Sequence, residues 1–166
     1  MSKLCIGQTY ATNDGRVHFV SDAPLEIIEA TSDQMQGLVD VEKKIFAFKL
    51  YIKSFNGFNS PLQQVHFFEN YMEANDFPIT TFKGKILEPM QAGKATYRAK
   101  GLLEIHGQSV ERIIEVELDI DDEKLTYTSV FLVPLMDHDI DLPQIVYQKI
   151  AESINVTVDG IMLLRE

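Results

Sequence analysis

Few residues of this chain are spaced to do chemistry, and each such group carries a plain structural reading beside the chemical one. His66 and Glu69 lie about one turn apart on a helical stretch, a spacing that could hold a metal ion or pair a base with an acid. The same histidine could simply tie that helix to its neighbours. Asp137, Asp139 and Asp141 around His138 imitate the start of a calcium loop, but Leu142 stands where such a loop needs glycine, and Gln148 where it needs a bidentate glutamate. That motif fails. His106, in a His-Gly turn, joins His66 as a candidate general base should the chain act on a hydrophobic substrate. Arg112 falls on the otherwise apolar face of its strand, where it could meet a headgroup phosphate or an inward carboxylate such as Glu152. The sequence holds no Gly-rich phosphate cradle, no His-x-x-x-His pair and no Gly-x-Ser-x-Gly elbow. No metal or cofactor is expected.

Composition narrows the classes further. A chain of 166 residues, 45% of them apolar, can bury one sizeable core but not two comfortable ones. A formal net charge of −10 argues against nucleic-acid and anionic-membrane partners, which need clustered Lys and Arg to displace counterions. Cys5 is the single cysteine, so neither an internal disulfide nor a cysteine-based zinc site is available. No run approaches the roughly 18 apolar residues that span a bilayer as a helix, so an integral membrane protein is not expected. Leu4-Cys5-Ile6-Gly7 followed by small Thr9 and Ala11 looks like the tail of a secretory signal, and residues 1–14 are read as an N-terminal segment before a domain over 15–166. An irregular first strand is the competing reading. The expected location is periplasmic or secreted, with the cytoplasm as the alternative.

The elements that must position any site are strands. Period-two alternation marks Ile45–Phe55, Lys94–His106, Val110–Ile120 and Glu152–Leu164, with shorter candidates at Arg16–Ser21, Leu25–Ala30, Met35–Val41, Thr80–Leu87 and Lys124–Val133. Turn signals at Asn13-Asp14-Gly15, Glu88–Gly93, His106-Gly107-Gln108 and Asp121-Asp122-Glu123 separate them as hairpins. Long strands with one apolar and one polar face close economically into an antiparallel up-and-down β-barrel of about eight strands, which removes sticky edges. Two short helices interrupt it. Ser60 as N-cap and Pro61 at the first position open one over Pro61–Tyr71, and Pro143–Ala151 is the second.

A barrel of that size either fills with its own side chains or holds one small ligand. The small inward residues Ala99 and Gly101 leave room beside Phe46, Phe48, Leu50, Ile52, Phe82, Tyr97, Leu103, Ile114, Val116, Leu118, Phe131, Ile154, Val156 and Val158. Gly101 could instead mark a sharp bend. Such a wall suits a hydrocarbon chain, at about 0.8 kcal/mol of gross driving force per buried methylene. His66 and Arg112 are the candidate polar contacts at the mouth. A packed, structural or partner-binding barrel remains the third reading beside carrier and enzyme, and a homodimer is a candidate assembly.

Two stretches carry a family likeness. Gln64–Ile86 (QVHFFENYMEANDFPITTFKGKI) runs from a helix with a His and a Phe-rich acidic segment through Asp76-Phe77-Pro78 to a strand opening on Thr81-Phe82, and Gly101–Gly107 (GLLEIHG) closes a hairpin. The chain in this order resembles the YceI family of lipocalin-like lipid-binding proteins. That resemblance implies a barrel that takes up a long-chain apolar lipid of polyisoprenoid, quinone or fatty-acid type without acting on it. One departure matters: where members of that family commonly place an Arg-Asp pair before the helix histidine, this chain has Gln64-Val65.

Overall fold

The computed structural model describes residues 8–146 and 148–165. Its frame is a closed antiparallel barrel in which each strand pairs with its sequence neighbour and the last pairs with the first. The strands are β1 (Thr9–Asp22), β2 (Ile27–Asp40), β3 (Ile45–Tyr51), β4 (Ile79–Ile86), β5 (Gly93–Ile105), β6 (Gln108–Ile120), β7 (Lys124–Pro134) and β8 (Ser153–Arg165). Closure gives every strand a neighbour on both sides. Among the described residues no helix is long and apolar enough to cross a membrane.

Three expectations need correction. Asn13-Asp14-Gly15 is not a turn but a bulge inside β1, marked by register shifts against both β2 and β8. Gly15 belongs there because a Cβ would strike the Tyr127 hydroxyl and the Met35 side chain. The two candidates Leu25–Ala30 and Met35–Val41 are one continuous β2, held across its polar middle by pairing of Ser32 with Val17 and Met35 with Gly15. Residues 9–14, expected in a segment apart, form the first part of β1. Met1–Gly7, most of the supposed signal remnant, lie outside the described residues.

One end of the barrel is packed shut. Tyr10, Ile120, Leu125 and Met162 are fully buried there, and the Tyr10 hydroxyl donates to the Asp121 carbonyl at 2.6 Å. The other end is roofed by the β3–β4 and β7–β8 connections. Ser60 caps the first helix, α1 (Pro61–Val65), by accepting the Gln63 N–H at 3.1 Å. The expected single helix to Tyr71 then widens into a π-helical turn over His66–Tyr71, with the Met72 N–H donating to the Phe67 carbonyl at 2.9 Å. The second expected helix shrinks to a 3-10 turn at Gln144–Val146.

Candidate functional site

Between floor and roof lies a cavity of about 500 Å3. Its length follows from the strands: on β8 the lining runs from Ile154 to Met162, which at about 3.3 Å per residue and a tilt of about 40° spans roughly 20 Å along the axis. A long, narrow space suits a chain better than a compact ring system. Its wall is almost entirely aliphatic and aromatic, with polar groups gathered near the roof at Glu26, Ser60, Gln63, His66 and Lys149. Deep in the barrel the Tyr127 phenol has no partner; burial pushes its pKa up, with Asp159 and Asp14 adding to the shift. It is packed against Gly15 and Gly160, where a Cβ would meet its hydroxyl.

Most of the residues read from the alternation surround this space: Phe46, Phe48, Leu50, Ile52, Phe82, Ala99, Leu103, Ile114, Val116, Leu118, Phe131, Ile154, Val156 and Val158, with His66 at the roof. Three do not. Tyr97 is buried outside the lining, and its hydroxyl accepts the Gln91 N–H of the β4–β5 connection at 3.1 Å. Gly101 is a site of close approach rather than of room: a Cβ on it would enter the backbone of Lys83 and Gly84 across the β4–β5 pair. Arg112 forms no ion pair with Glu152; its Nη2 donates to the Leu132 carbonyl at 2.8 Å and its guanidinium lies 5.9 Å from the Phe131 ring centre.

The sequence reading missed the part of the wall that β1 and β2 supply, including Val17, Phe19, Ile28, Met35 and Val39. It also missed the aromatic roof. The Phe67 ring stacks on Phe19 at 5.0 Å, and Phe55, Phe58 and Phe68 close around the pair. The widened turn at His66–Tyr71 brings Phe67 onto this cluster, while Leu62 stands 64% exposed at the rim.

The histidines hold the roof down. His106 directs Nδ1 to the His138 carbonyl at 3.0 Å and Nε2 to Glu73 Oε1 at 2.9 Å. Both ring nitrogens lie within hydrogen-bond distance of an oxygen, so the ring is held from two sides. His138 Nδ1 in turn donates to the Gln108 carbonyl at 3.0 Å. Glu73, His106 and His138 thus fasten the end of the π-helical turn, the β5–β6 hairpin and the segment after β7 to one another. His66 and Glu69 form no ion pair, and among the described residues no three His, Cys, Asp or Glu side chains converge as metal ligands do.

No protein-family model matches the sequence, and no curated protein matches it either. Solved structures do match in shape. A polyisoprenoid binding domain from Saccharophagus degradans, implicated in plant cell wall breakdown, superposes with a TM-score of 0.78 at 10% identity, covering 97% of this chain and 100% of that one. Burkholderia cenocepacia BcnA gives 0.74 at 14% identity over 92% and 96% of the two chains. The Campylobacter jejuni YCEI protein gives 0.60 at 15% identity over 100% and 91%. At such identities the likeness is one of architecture, and by that architecture the chain folds as a YceI-like barrel.

Proposed function

We propose that this barrel binds one long-chain apolar lipid in its interior and does no chemistry on it. The observation that carries the reading is the elongated cavity of about 500 Å3 with an almost wholly apolar wall. Burying each methylene there is worth about 0.8 kcal/mol before ordering costs, so the chain supplies the bulk of the driving force. The name of the Saccharophagus degradans structure, a polyisoprenoid binding domain, supports an isoprenoid or similarly built chain as the ligand class. The chemistry a hydrolase or transferase would need finds little support in the lining: His106 has both nitrogens occupied outside the cavity, and His66, which does line it, has no carboxylate within 4 Å to orient its ring.

The test is native mass spectrometry of the protein as purified from a bacterial host, followed by solvent extraction, and then titration of the stripped protein with a polyprenol and a fatty acid. A released or added chain at about one per barrel is expected. A clean apo mass together with no uptake of either ligand would sink the proposal. The roof-facing His66→Ala variant should keep its ligand occupancy, and any turnover that it abolished would argue for an enzyme.

A further inference from the structure

The barrel wall is not laced evenly. β5 and β6 pair along their whole length, from Gly93 opposite Ile120 to Ile105 opposite Gln108, and β7 and β8 do the same from Lys124 to Pro134. β6 and β7 pair only from Glu117 to Ile120 against Leu125 to Thr128. Over residues 108–116 and 129–134 the two strands run side by side without a ladder, forming a seam near the roofed end. Two side chains cross it. Ser129 Oγ donates to the Glu115 carbonyl, and Arg112 reaches from the inward face of β6 to the Leu132 carbonyl.

Arg112 is poorly matched to that duty. One backbone carbonyl takes a single N–H of a group that carries five, and no carboxylate of the described residues lies within 4.0 Å of it. Its Nη1 is buried with no hydrogen-bond partner among the described residues. A cationic nitrogen removed from water without an acceptor is among the costlier arrangements in a folded chain. Its surroundings lead inward: Ile114, two residues along the same face, and Phe131, whose ring it approaches, both line the cavity. The cations that line the cavity differ from Arg112. Lys149 is exposed to water, and Lys49 lies over the outward ring of Tyr51.

We infer that Arg112 seats an oxyanion head, a carboxylate or phosphate, of the lipid whose chain fills the barrel, at the seam between β6 and β7. The inference rests on the lipid-binding reading and narrows it to acid-headed chains. A planar guanidinium with a free edge offers paired N–H donors in the geometry such oxygens accept, and the aromatic face of Phe131 beside it excludes water from the contact. The unladdered seam provides the width that a head bulkier than its chain requires.

The experiment compares palmitate, hexadecyl phosphate and hexadecanol, which share one chain, on stripped wild-type protein and on Arg112→Met, with Arg112→Lys as the charge-retaining variant. Wild type is expected to bind at least one of the two acids about 10-fold or more tighter than the alcohol, and the acid that gains shows which head is carried. Arg112→Met should lose that preference while holding the alcohol within about 3-fold, and Arg112→Lys should keep part of it. Equal wild-type affinities for acids and alcohol, or a preference that survives in Arg112→Met, would overturn the inference and leave the lipid-binding reading intact. Failure of wild type to bind any of the three would overturn the inference, and only a failure to take up a polyprenol as well would remove the lipid-binding reading with it.

Discussion

The two ends of this barrel are built from the same alternating strands and close in opposite ways. At the floor, Tyr10, Ile120, Leu125 and Met162 interdigitate until none is exposed, and the chain seals itself with side chains that belong to the strands. At the roof the strands end early and the closure is delegated to connections: a capped helix, a π-helical turn carrying Phe67, and the segment after β7, fastened by Glu73, His106 and His138. Strand-borne packing is permanent, because opening it means breaking the sheet. Connection-borne packing can open locally, at the low-stability end of the molecule. On the lipid-binding proposal the roof is the expected entrance, and the comparison predicts which substitutions cost stability and which cost binding.

Leu125→Ala should give the largest loss of stability, about 2–5 kcal/mol, as the floor is close-packed and cannot collapse around the deleted atoms; urea unfolding measures it. Binding of a lipid by the protein that remains folded should change little. A loss below about 1 kcal/mol would mean that the floor is as yielding as the roof. Phe67→Ala removes the central ring of the roof cluster, and an intermediate cost of about 1–3 kcal/mol is expected because Phe67 is itself only half-buried. Hydrogen exchange sharpens the contrast: amides of 61–77 should lose protection in this variant while those of β5 and β6 keep theirs. Uniform loss along the whole chain would show the roof to be part of the floor's cooperative unit.

Ala99→Phe tests the space between the two ends. In a filled core the added ring would cost about 1–3 kcal/mol. Facing an open cavity, it should leave the unfolding midpoint almost unchanged and reduce lipid uptake about 10-fold or more. A strong destabilisation with binding retained would refute the open interior.

The alternation in β5, β6 and β8 made those walls legible, since a single phase runs through each strand. In β1 and β2 the phase breaks. Tyr10 and Thr12 face inward, then the set continues from Gly15 through Val17 and Phe19; in β2 the inward set passes from Ile28, Ala30 and Ser32 to Met35, Gly37 and Val39. One extra residue at a bulge flips every later side chain, so a pattern that assumes strict period two reads one long strand as two fragments. The flip was itself visible, at Asn13-Asp14 and Asp33-Gln34. Gly101 was misread for a different reason: absence of a side chain looks like room, whereas here a neighbouring backbone occupies it. Neither the clamp through His106 nor the seam at Arg112 had a local signal, because both depend on which distant carbonyls the closed barrel brings alongside.

Among the charged fastenings at the floor end, the one at Asp121 has the smallest expected effect. Asp121 Oδ1 accepts the N–H groups of Glu123 and Lys124 at 2.8 and 2.9 Å, which holds its carboxyl below the ordinary value of 3.8. A carboxylate whose pKa is depressed by folding contributes stability that is fully present above its unfolded value and is lost as pH falls through the folded one. Asp121→Asn should therefore be slightly less stable than wild type at pH 7, and the gap should close as both are taken from about pH 4 downward, because below the folded pKa the wild-type side chain is neutral too. Urea midpoints of the two proteins at pH 7 and in that acid window measure it. The side chain is in water, so solvent screening keeps the effect modest. A gap that persists unchanged in acid would assign the turn's stability to hydrogen-bond geometry instead of charge, and with it the whole floor to packing.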